Sequence, residues 1–378
     1  MRELLFVAGE VSGDLHAAQV ARELVGRGSP FRLTGIGGDG MRSAGVELIE
    51  HAGNLAVMGF VEVVGTLRRH WGLLRELKRR FRSGQVAAVV LVDYPDFNML
   101  VAAAASRAGV PVLYYITPQV WAWRAGRLDK LARTVTCAAV ILPFEEPLLR
   151  KHGIPVSFVG HPLLDRVATL PDRAAARVTV GLAPTARVRG LFPGSRRQEV
   201  EHNLDAFVAA ARELQAREPQ LQVVVAAAPH VSIDPARCPF PIAAAGSFTV
   251  LRAADAALCK SGTTTLEAAM AGCPFVVAYR LNQLNYEIAR RVVKIPNIGL
   301  VNVVAGYQLV PEFVQSALQP SAVADALVPL LDHASAERRA MLDGLARVRA
   351  SLGSPGAAAR VAEMAERLAA GGVSAHAG

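Results

Sequence analysis

The chain has 378 residues, of which 52% are hydrophobic and 19% charged, enough for two hydrophobic cores and too apolar for wholesale disorder. Its formal charge is +9, from 41 Lys and Arg against 32 Asp and Glu, so nucleic acid, anionic membrane surface and phosphorylated substrates are the partner classes to weigh. The four cysteines, Cys137, Cys238, Cys259 and Cys273, are too widely spaced for a zinc ribbon or a disulfide framework and fit a reducing compartment.

Residues 4–8 form an apolar run too short for a signal-peptide core and read as a buried parallel strand, followed by a glycine-bounded loop at 9–13 and a helix at 14–25. The unit recurs at 31–36, before Gly37 and Gly38. From Phe60 onward, Val63, Val64, Leu67, Trp71, Leu74, Leu77 and Phe81 fall mostly at three- and four-residue steps. Arg68, Arg69, Arg75, Lys78, Arg79, Arg80 and Arg82 fill other positions, and against the single acid Glu76 they give residues 68–82 a net charge of +6. Such a helix can lie on anionic lipid, with Phe60 and Trp71 as apolar contacts and Arg68, Arg69 and Arg79 as charge contacts. It can equally cover a sheet with a solvated basic face.

Strands follow at 86–92 and 110–116, separated by an acidic loop and a helix at 100–108. No apolar run approaches the roughly 20 residues needed to span a bilayer. Between 160 and 187 the strand signal lapses, which places a domain junction there; further strands are predicted at 189–192, 221–227, 256–259 and 274–279. The predicted division is an N-terminal domain over 1–170, a second over 185–350, a C-terminal helix over 351–370 and a frayed tail over 371–378. Apolar strands alternating with helices predict an α/β chain with two Rossmann-like domains whose loops face each other across a cleft.

Chemistry is expected at the carboxyl ends of the strands. Asp93, the first residue after 86–92, is placed to take the proton of an attacking hydroxyl as a general base. Asp96 in the same loop and Glu10 in the first glycine loop are supporting carboxylates; the plain alternative is that Asp96 caps a helix and Asp93 binds loop amides. Two loops suit phosphate: Gly194-Ser195-Arg196, with a backbone open to an anion and a bidentate donor, and Ser261-Gly262-Thr263 at a helix start, with Glu267 in reach of a sugar hydroxyl. The alternative for the first is a simple helix cap using Glu199.

The sequence has no Gly-x-x-x-x-Gly-Lys-Ser/Thr loop and no Gly-x-Gly-x-x-Gly after the first strand, which argues against an ATPase or a nicotinamide enzyme. It has no Asp-x-Asp pair and no His-x-x-His arrangement, so neither metal nor cofactor is expected, and His161 before Pro162 is a hinge hydrogen-bonder or a catalyst. Aromatic residues are 6% of the chain and do not interleave with the basic ones, which disfavours a nucleic-acid-binding protein.

Taken in order, Gly9-Glu10-Val11-Ser12-Gly13-Asp14, Ala56-Val57-Met58-Gly59-Phe60, Asp93-Tyr94-Pro95-Asp96-Phe97-Asn98, Pro118-Gln119-Val120-Trp121-Ala122-Trp123, Gly160-His161-Pro162, Pro193-Gly194-Ser195-Arg196, Ser261-Gly262-Thr263, Leu266-Glu267, Val277-Ala278-Tyr279-Arg280 and Asn302 closely resemble the lipid-A-disaccharide synthase family. The resemblance implies a GT-B type glycosyltransferase that is inverting and metal-independent. It implies transfer of 2,3-diacylglucosamine from UDP to 2,3-diacylglucosamine 1-phosphate (lipid X), giving the β-1,6-linked disaccharide 1-phosphate and UDP. Asp93 matches the family's candidate base, Gly194 to Arg196 its UDP side, and Asn302 an asparagine of the same cleft. It further implies a cytoplasmic protein held peripherally on the anionic inner face of the cytoplasmic membrane; homo-oligomerisation is left open. Tyr94, where the family usually has alanine, and Val301, where many members have proline, depart from the pattern and bear on substrate fit. The alternatives are another UDP-sugar enzyme of the same fold, a UDP-N-acetylglucosamine epimerase or a peptidoglycan-precursor transferase.

Overall fold

The computed structural model describes residues 1–371 apart from 56–61, 120, 122–125, 229–230, 244, 283–285 and 288–296, and, in the helix Glu62–Arg82, the side chains of 62–67. The chain forms two compact units, residues 1–162 with 353–378, and residues 163–352.

The first unit holds seven parallel strands, β1 (Glu3–Val7), β2 (Arg32–Gly37), β3 (Glu47–His51), β4 (Val86–Val92), β5 (Val112–Tyr115), β6 (Cys137–Val140) and β7 (Val156–Phe158), in the order β3-β2-β1-β4-β5-β6-β7. Strands β1 and β4 are buried along their whole length, as continuous apolar runs must be when helices cover both faces. Alternate side chains serve opposite layers. Leu5, Val7, Val89 and Leu91 pack with Leu73, Leu77 and Phe81 of the helix Glu62–Arg82. Leu4, Phe6, Val90 and Val92 pack with Ala17, Val20 and Leu24 of the helix Val11–Gly26 and with Val361 and Ala365 of the helix Ala357–Ala369. The last helix therefore completes the core of the first unit instead of standing as a separate segment, and Arg27 Nη2 donates to Ala359 O at 3.2 Å along that seam.

The second unit has six parallel strands, β8 (Val188–Phe192), β9 (Gln222–Ala226), β10 (Ile242–Ala243), β11 (Ala256–Lys260), β12 (Phe275–Tyr279) and β13 (Glu312–Val314), in the order β10-β9-β8-β11-β12-β13. It begins at Leu163, earlier than the strand pattern suggests, because the strand-free stretch is bound to its core. Buried Asp255 accepts from Arg177 Nη2 at 2.8 and 2.9 Å, from Arg173 Nη1 at 3.1 Å and from Val188 N at 2.8 Å. Arg166 lies 4.6 Å from the Phe248 ring centroid.

In each sheet the strand order reverses once, between β1 and β4 and between β8 and β11. The crevice outside the carboxyl ends of such a strand pair is where open α/β sheets bind ligands. Glu10 and Asp93 follow β1 and β4; Gly194 to Arg196 and Ser261 to Thr263 follow β8 and β11.

Candidate functional site

The turn after β4 is built from strained backbone. Asp93 donates its N–H to Tyr115 O at 3.1 Å, extending the sheet by one bond, and then Asp93 and Tyr94 both enter the left-handed region at φ +49° and +51°. That conformation costs a side-chain-bearing residue on the order of 1–3 kcal/mol, so it persists only where the surroundings enforce it. Here the Asp93 carbonyl accepts from Asn98 Nδ2 at 2.7 Å and from the Tyr114 hydroxyl at 2.9 Å. The same Asn98 amide lies 3.3 Å from Val7 O and 3.3 Å from Val92 O, tying the ends of β1 and β4 together. Burial, and then the charge of Asp93, push the Tyr114 phenol well above its usual range, so it stays a donor. Pro95 starts the helix Pro95–Arg107 with its φ already set.

Glu10 is half-buried and supplies the last extended residue before the helix Val11–Gly26. Asp96 is exposed in the first turn of its own helix, with Arg127 Nη2 at 2.5 Å. Burial, then the charges of Glu10 and Asp96, raise the Tyr94 phenol, which sets both carboxylates around the turn that carries Asp93. The neighbouring loop after β2 is fixed by Asp14, buried, which accepts from Gly38 N at 2.6 Å, Gly40 N at 2.9 Å and Met41 N at 3.1 Å. His161 is buried and pushed down to about 3 by burial and by His16, so it is neutral near pH 7 and suits hydrogen bonding better than acid catalysis.

In the second unit the two phosphate-type loops are brought together. Gly194 has φ +151°, and a Cβ there would lie 2.5 Å from Glu199 Cβ, so glycine lets the loop close on the helix Arg197–Arg217. Glu199 Oε2 accepts from Ser195 N at 3.0 Å and Arg196 N at 3.3 Å, while Oε1 takes Lys260 Nζ at 2.9 Å across the β8–β11 gap. Burial opposes ionisation of Glu199, but Lys260, the Ser195 amide and the charge of Arg196 outweigh it and hold its pKa below the ordinary value. The Ser195 and Arg196 amides expected to face an anion are thus engaged by Glu199 in a helix cap, and what the loop presents is the exposed Arg196 guanidinium beside Lys260. Lys260, also 5.0 Å from the Tyr279 ring centroid, heads the Ser261 loop in the sequence, which gave it no role of its own; as the last residue of β11 it is the cation of this turn.

Ser261 Oγ donates to Ile298 O at 2.6 Å, and Thr263 is the half-helical residue before the helix Thr264–Ala271. Glu267 is nearly buried, with Arg166 Nη1 at 3.7 Å; burial raises its pKa against the Ser247 hydrogen bond. Asn302 is fully buried, and its amide is engaged inside the protein, donating to Val310 O at 2.9 Å and Glu312 Oε1 at 2.7 Å and accepting from Leu309 N and Val310 N at 2.9 Å. Glu312 in turn accepts from Ile298 N at 2.9 Å and Gly299 N at 2.8 Å. Asn302 therefore stands behind Ser261, shaping the segment that Ser261 binds.

The basic helix departs from the lipid-facing expectation. Leu74, Leu77 and Phe81 are buried in the sheet core, so most of its described apolar stripe is covered by the protein itself. Trp71 is 61% exposed, and Arg68, Arg75 and Arg82 are exposed. Arg69 Nε lies 3.1 Å from Glu50, and Arg79 pairs with Glu76, so part of the charge is compensated. Phe60 lies outside the described residues. No helix among the described residues is long and apolar enough to cross a membrane.

Comparison with known proteins bears on both units. A family model described as lipid-A-disaccharide synthetase matches residues 4–355. The chain is 42% identical over 377 residues to the lipid-A-disaccharide synthase of Geobacter metallireducens, covering 96% of each, and 41% identical over 375 residues to that of Syntrophus aciditrophicus, covering 97% of each. Among solved structures it resembles a calicheamicin glycosyltransferase at 18% identity and TM-score 0.63, covering 97% of this chain and 98% of that one. It also resembles the UDP-GlcNAc 2-epimerase of Neisseria meningitidis bound to UDP-GlcNAc, at 12% identity and TM-score 0.63 over 96% and 98%. These distant likenesses show the fold: two Rossmann-like α/β domains of the GT-B type.

Proposed function

The chain belongs to the lipid-A-disaccharide synthase family, and we propose that it transfers 2,3-diacylglucosamine from its UDP donor to 2,3-diacylglucosamine 1-phosphate. The acceptor's 6-hydroxyl attacks the anomeric carbon of the donor. A new C–O bond forms, the bond to the UDP oxygen breaks with inversion, the hydroxyl proton passes to the Asp93 carboxylate, and UDP leaves. The observation that carries this reading is the turn after β4, where two left-handed residues are held so that a carboxylate stands at the carboxyl end of the strand. A fixed base needs no reorganisation as the proton moves. Glu10 and Asp96 support it from the same crevice.

On the second unit, UDP is held by the Arg196 guanidinium, carried on the turn of Gly194 and Ser195, and by the loop of Ser261, Gly262 and Thr263, with Lys260 beside them and Glu267 and Asn302 behind. Charge that develops on the leaving diphosphate is neutralised by Arg196, Lys260 and the helix start at Thr264, and no metal is required. The protein works peripherally at the anionic inner face of the cytoplasmic membrane, touching it through Trp71 and the exposed arginines.

The test is incubation of the purified protein with UDP-2,3-diacylglucosamine and 2,3-diacylglucosamine 1-phosphate in excess EDTA, with products read by mass spectrometry. A disaccharide 1-phosphate with one UDP released per linkage is expected. Epimerised donor without disaccharide would overturn the transferase reading, and activity lost in EDTA but restored by magnesium would overturn its metal independence.

A further inference from the structure

We infer that Tyr94 and His70 form a positioning contact that holds the Asp93 turn in its working conformation. The inference rests on Asp93 being the base. Asn98 and Tyr114 secure the Asp93 carbonyl, but the turn has a second left-handed residue, Tyr94, which needs its own restraint. Its ring supplies one. A Cβ on Gly9 would come within 2.3 Å of the Tyr94 ring atoms Cδ1 and Cε1, so the ring lies directly on the glycine of the β1 loop and depends on that glycine for its seat. On the helix side, the Tyr94 hydroxyl is 2.6 Å from His70 Nε2.

The three rings of His70, Tyr94 and Phe97 close the cluster, with Tyr94–Phe97 centroids 6.0 Å apart and His70–Phe97 5.2 Å apart at 75°. His70 rides on the helix Glu62–Arg82, which is anchored in the core by Leu73, Leu74, Leu77 and Phe81. A rigid element is thus joined through one hydrogen bond to the strained residue next to the base. Because the phenol is raised by burial and by Glu10 and Asp96, it keeps its proton near neutral pH and donates to the imidazole nitrogen. If that hydrogen bond is lost, Tyr94 can relax toward ordinary backbone geometry, and the Asp93 carboxylate swings with the shared peptide.

The experiment compares Tyr94→Phe, His70→Ala, the double variant and His70→Gln in the transfer reaction, alongside melting temperature and UDP calorimetry. Tyr94→Phe keeps the ring on Gly9 and removes only the hydroxyl. It should lower kcat by about five- to tenfold, the scale of one hydrogen bond, with KM and UDP affinity unchanged and the melting temperature lowered by no more than a few degrees. His70→Ala should do the same, the double variant should lose no more than the larger single loss, and His70→Gln, whose amide oxygen can take the phenol's hydrogen bond, should recover most of the rate. Parental kcat in Tyr94→Phe, multiplying losses in the double variant, or altered UDP affinity would overturn the inference. Asp93→Asn separates the two readings. If it is inactive while Tyr94→Phe runs at the parental rate, the base assignment stands and the positioning role falls; if it is fully active, the base assignment fails and takes the positioning role with it.

Discussion

The turns at the two sheet reversals solve the same problem by opposite means. After β4, a carboxylate is placed by strained backbone held with uncharged donors, the Asn98 amide and the Tyr114 hydroxyl. After β8, glycine relieves the backbone and ions do the holding, with Glu199 bridging two amides and Lys260. The first arrangement suits a group that must sit at one angle for chemistry. The second suits a cationic surface whose internal carboxylate holds the positive charges in place. The first should respond to loss of single hydrogen bonds, the second to charge and salt.

The carboxyl groups of the two units sharpen the contrast through pH. Glu145, buried in the first unit, accepts from Trp121 Nε1 at 3.2 Å and Leu142 N at 3.1 Å, yet burial dominates and raises its pKa from 4.5 to about 7. An acid raised in the folded state contributes fully below its unfolded pKa, and that contribution is lost as pH climbs through the folded value. Glu145→Gln should therefore match the parent near pH 4 and exceed it in stability at pH 8, by on the order of 3 kcal/mol for a shift of that size. Thermal unfolding across that range reads the difference, and a variant less stable than the parent at pH 8 would reverse the assigned cause. Glu199, held low by Lys260, has the opposite sign: its contribution is present above the unfolded carboxylate range and is lost as pH falls through the folded pKa.

For the ionic turn, Arg196→Ala should weaken UDP binding by about 1.5 to 3 kcal/mol, the range for a hydrogen bond to a charged group. Its kcat at saturating donor should fall as well, because the charge that Arg196 meets grows as UDP leaves. Calorimetry showing parental UDP affinity would place the diphosphate elsewhere. For the strained turn, Asn98→Ala removes the amide that links Val7, Val92 and Asp93, and should cost about 1–3 kcal/mol of stability together with a fall in kcat. A variant that loses stability while keeping the parental kcat would show that the turn holds without its amide.

What is legible in the sequence divides along the same line. An apolar run ending in an acid, and glycine followed by hydroxyl and arginine, are local signals, so the order of residues alone places Asp93, Gly194 to Arg196 and Ser261 to Thr263 at strand ends. Asn98 and Tyr114 cannot be given their roles that way, because both act on a carbonyl, which carries no sequence signature. The Glu199–Lys260 pair spans 61 residues and joins the helix that follows β8 to the end of β11, a neighbouring strand that is not consecutive with β8 in the chain. Periodicity shows that residues 60–81 have an apolar face but not what covers it, and for Leu74, Leu77 and Phe81 the cover is the sheet. The return of the helix Ala357–Ala369 to the first core is hidden for the same reason, since its partners on β1 and the helix Val11–Gly26 lie far earlier in the chain.

The smallest expected effect concerns the basic helix, where, among the described residues, Trp71 and the basic face remain for a surface. Replacing Arg68, Arg69 and Arg79 together should reduce co-sedimentation with anionic vesicles at low salt without altering the melting temperature. Salt at about 1 M, where screening shortens to roughly 3 Å, should release the parent as well. Equal sedimentation of both proteins at low salt would leave this helix as sheet cover with a solvated basic face.

Asp93→Asn, with kcat and UDP affinity measured on the same preparation, tests the assignment of chemistry to the strained turn most directly. The expected result is a fall in kcat of about 100-fold or more, the scale of a lost general base, with UDP affinity and melting temperature at the parental values. A kcat within about threefold of the parent would contradict it.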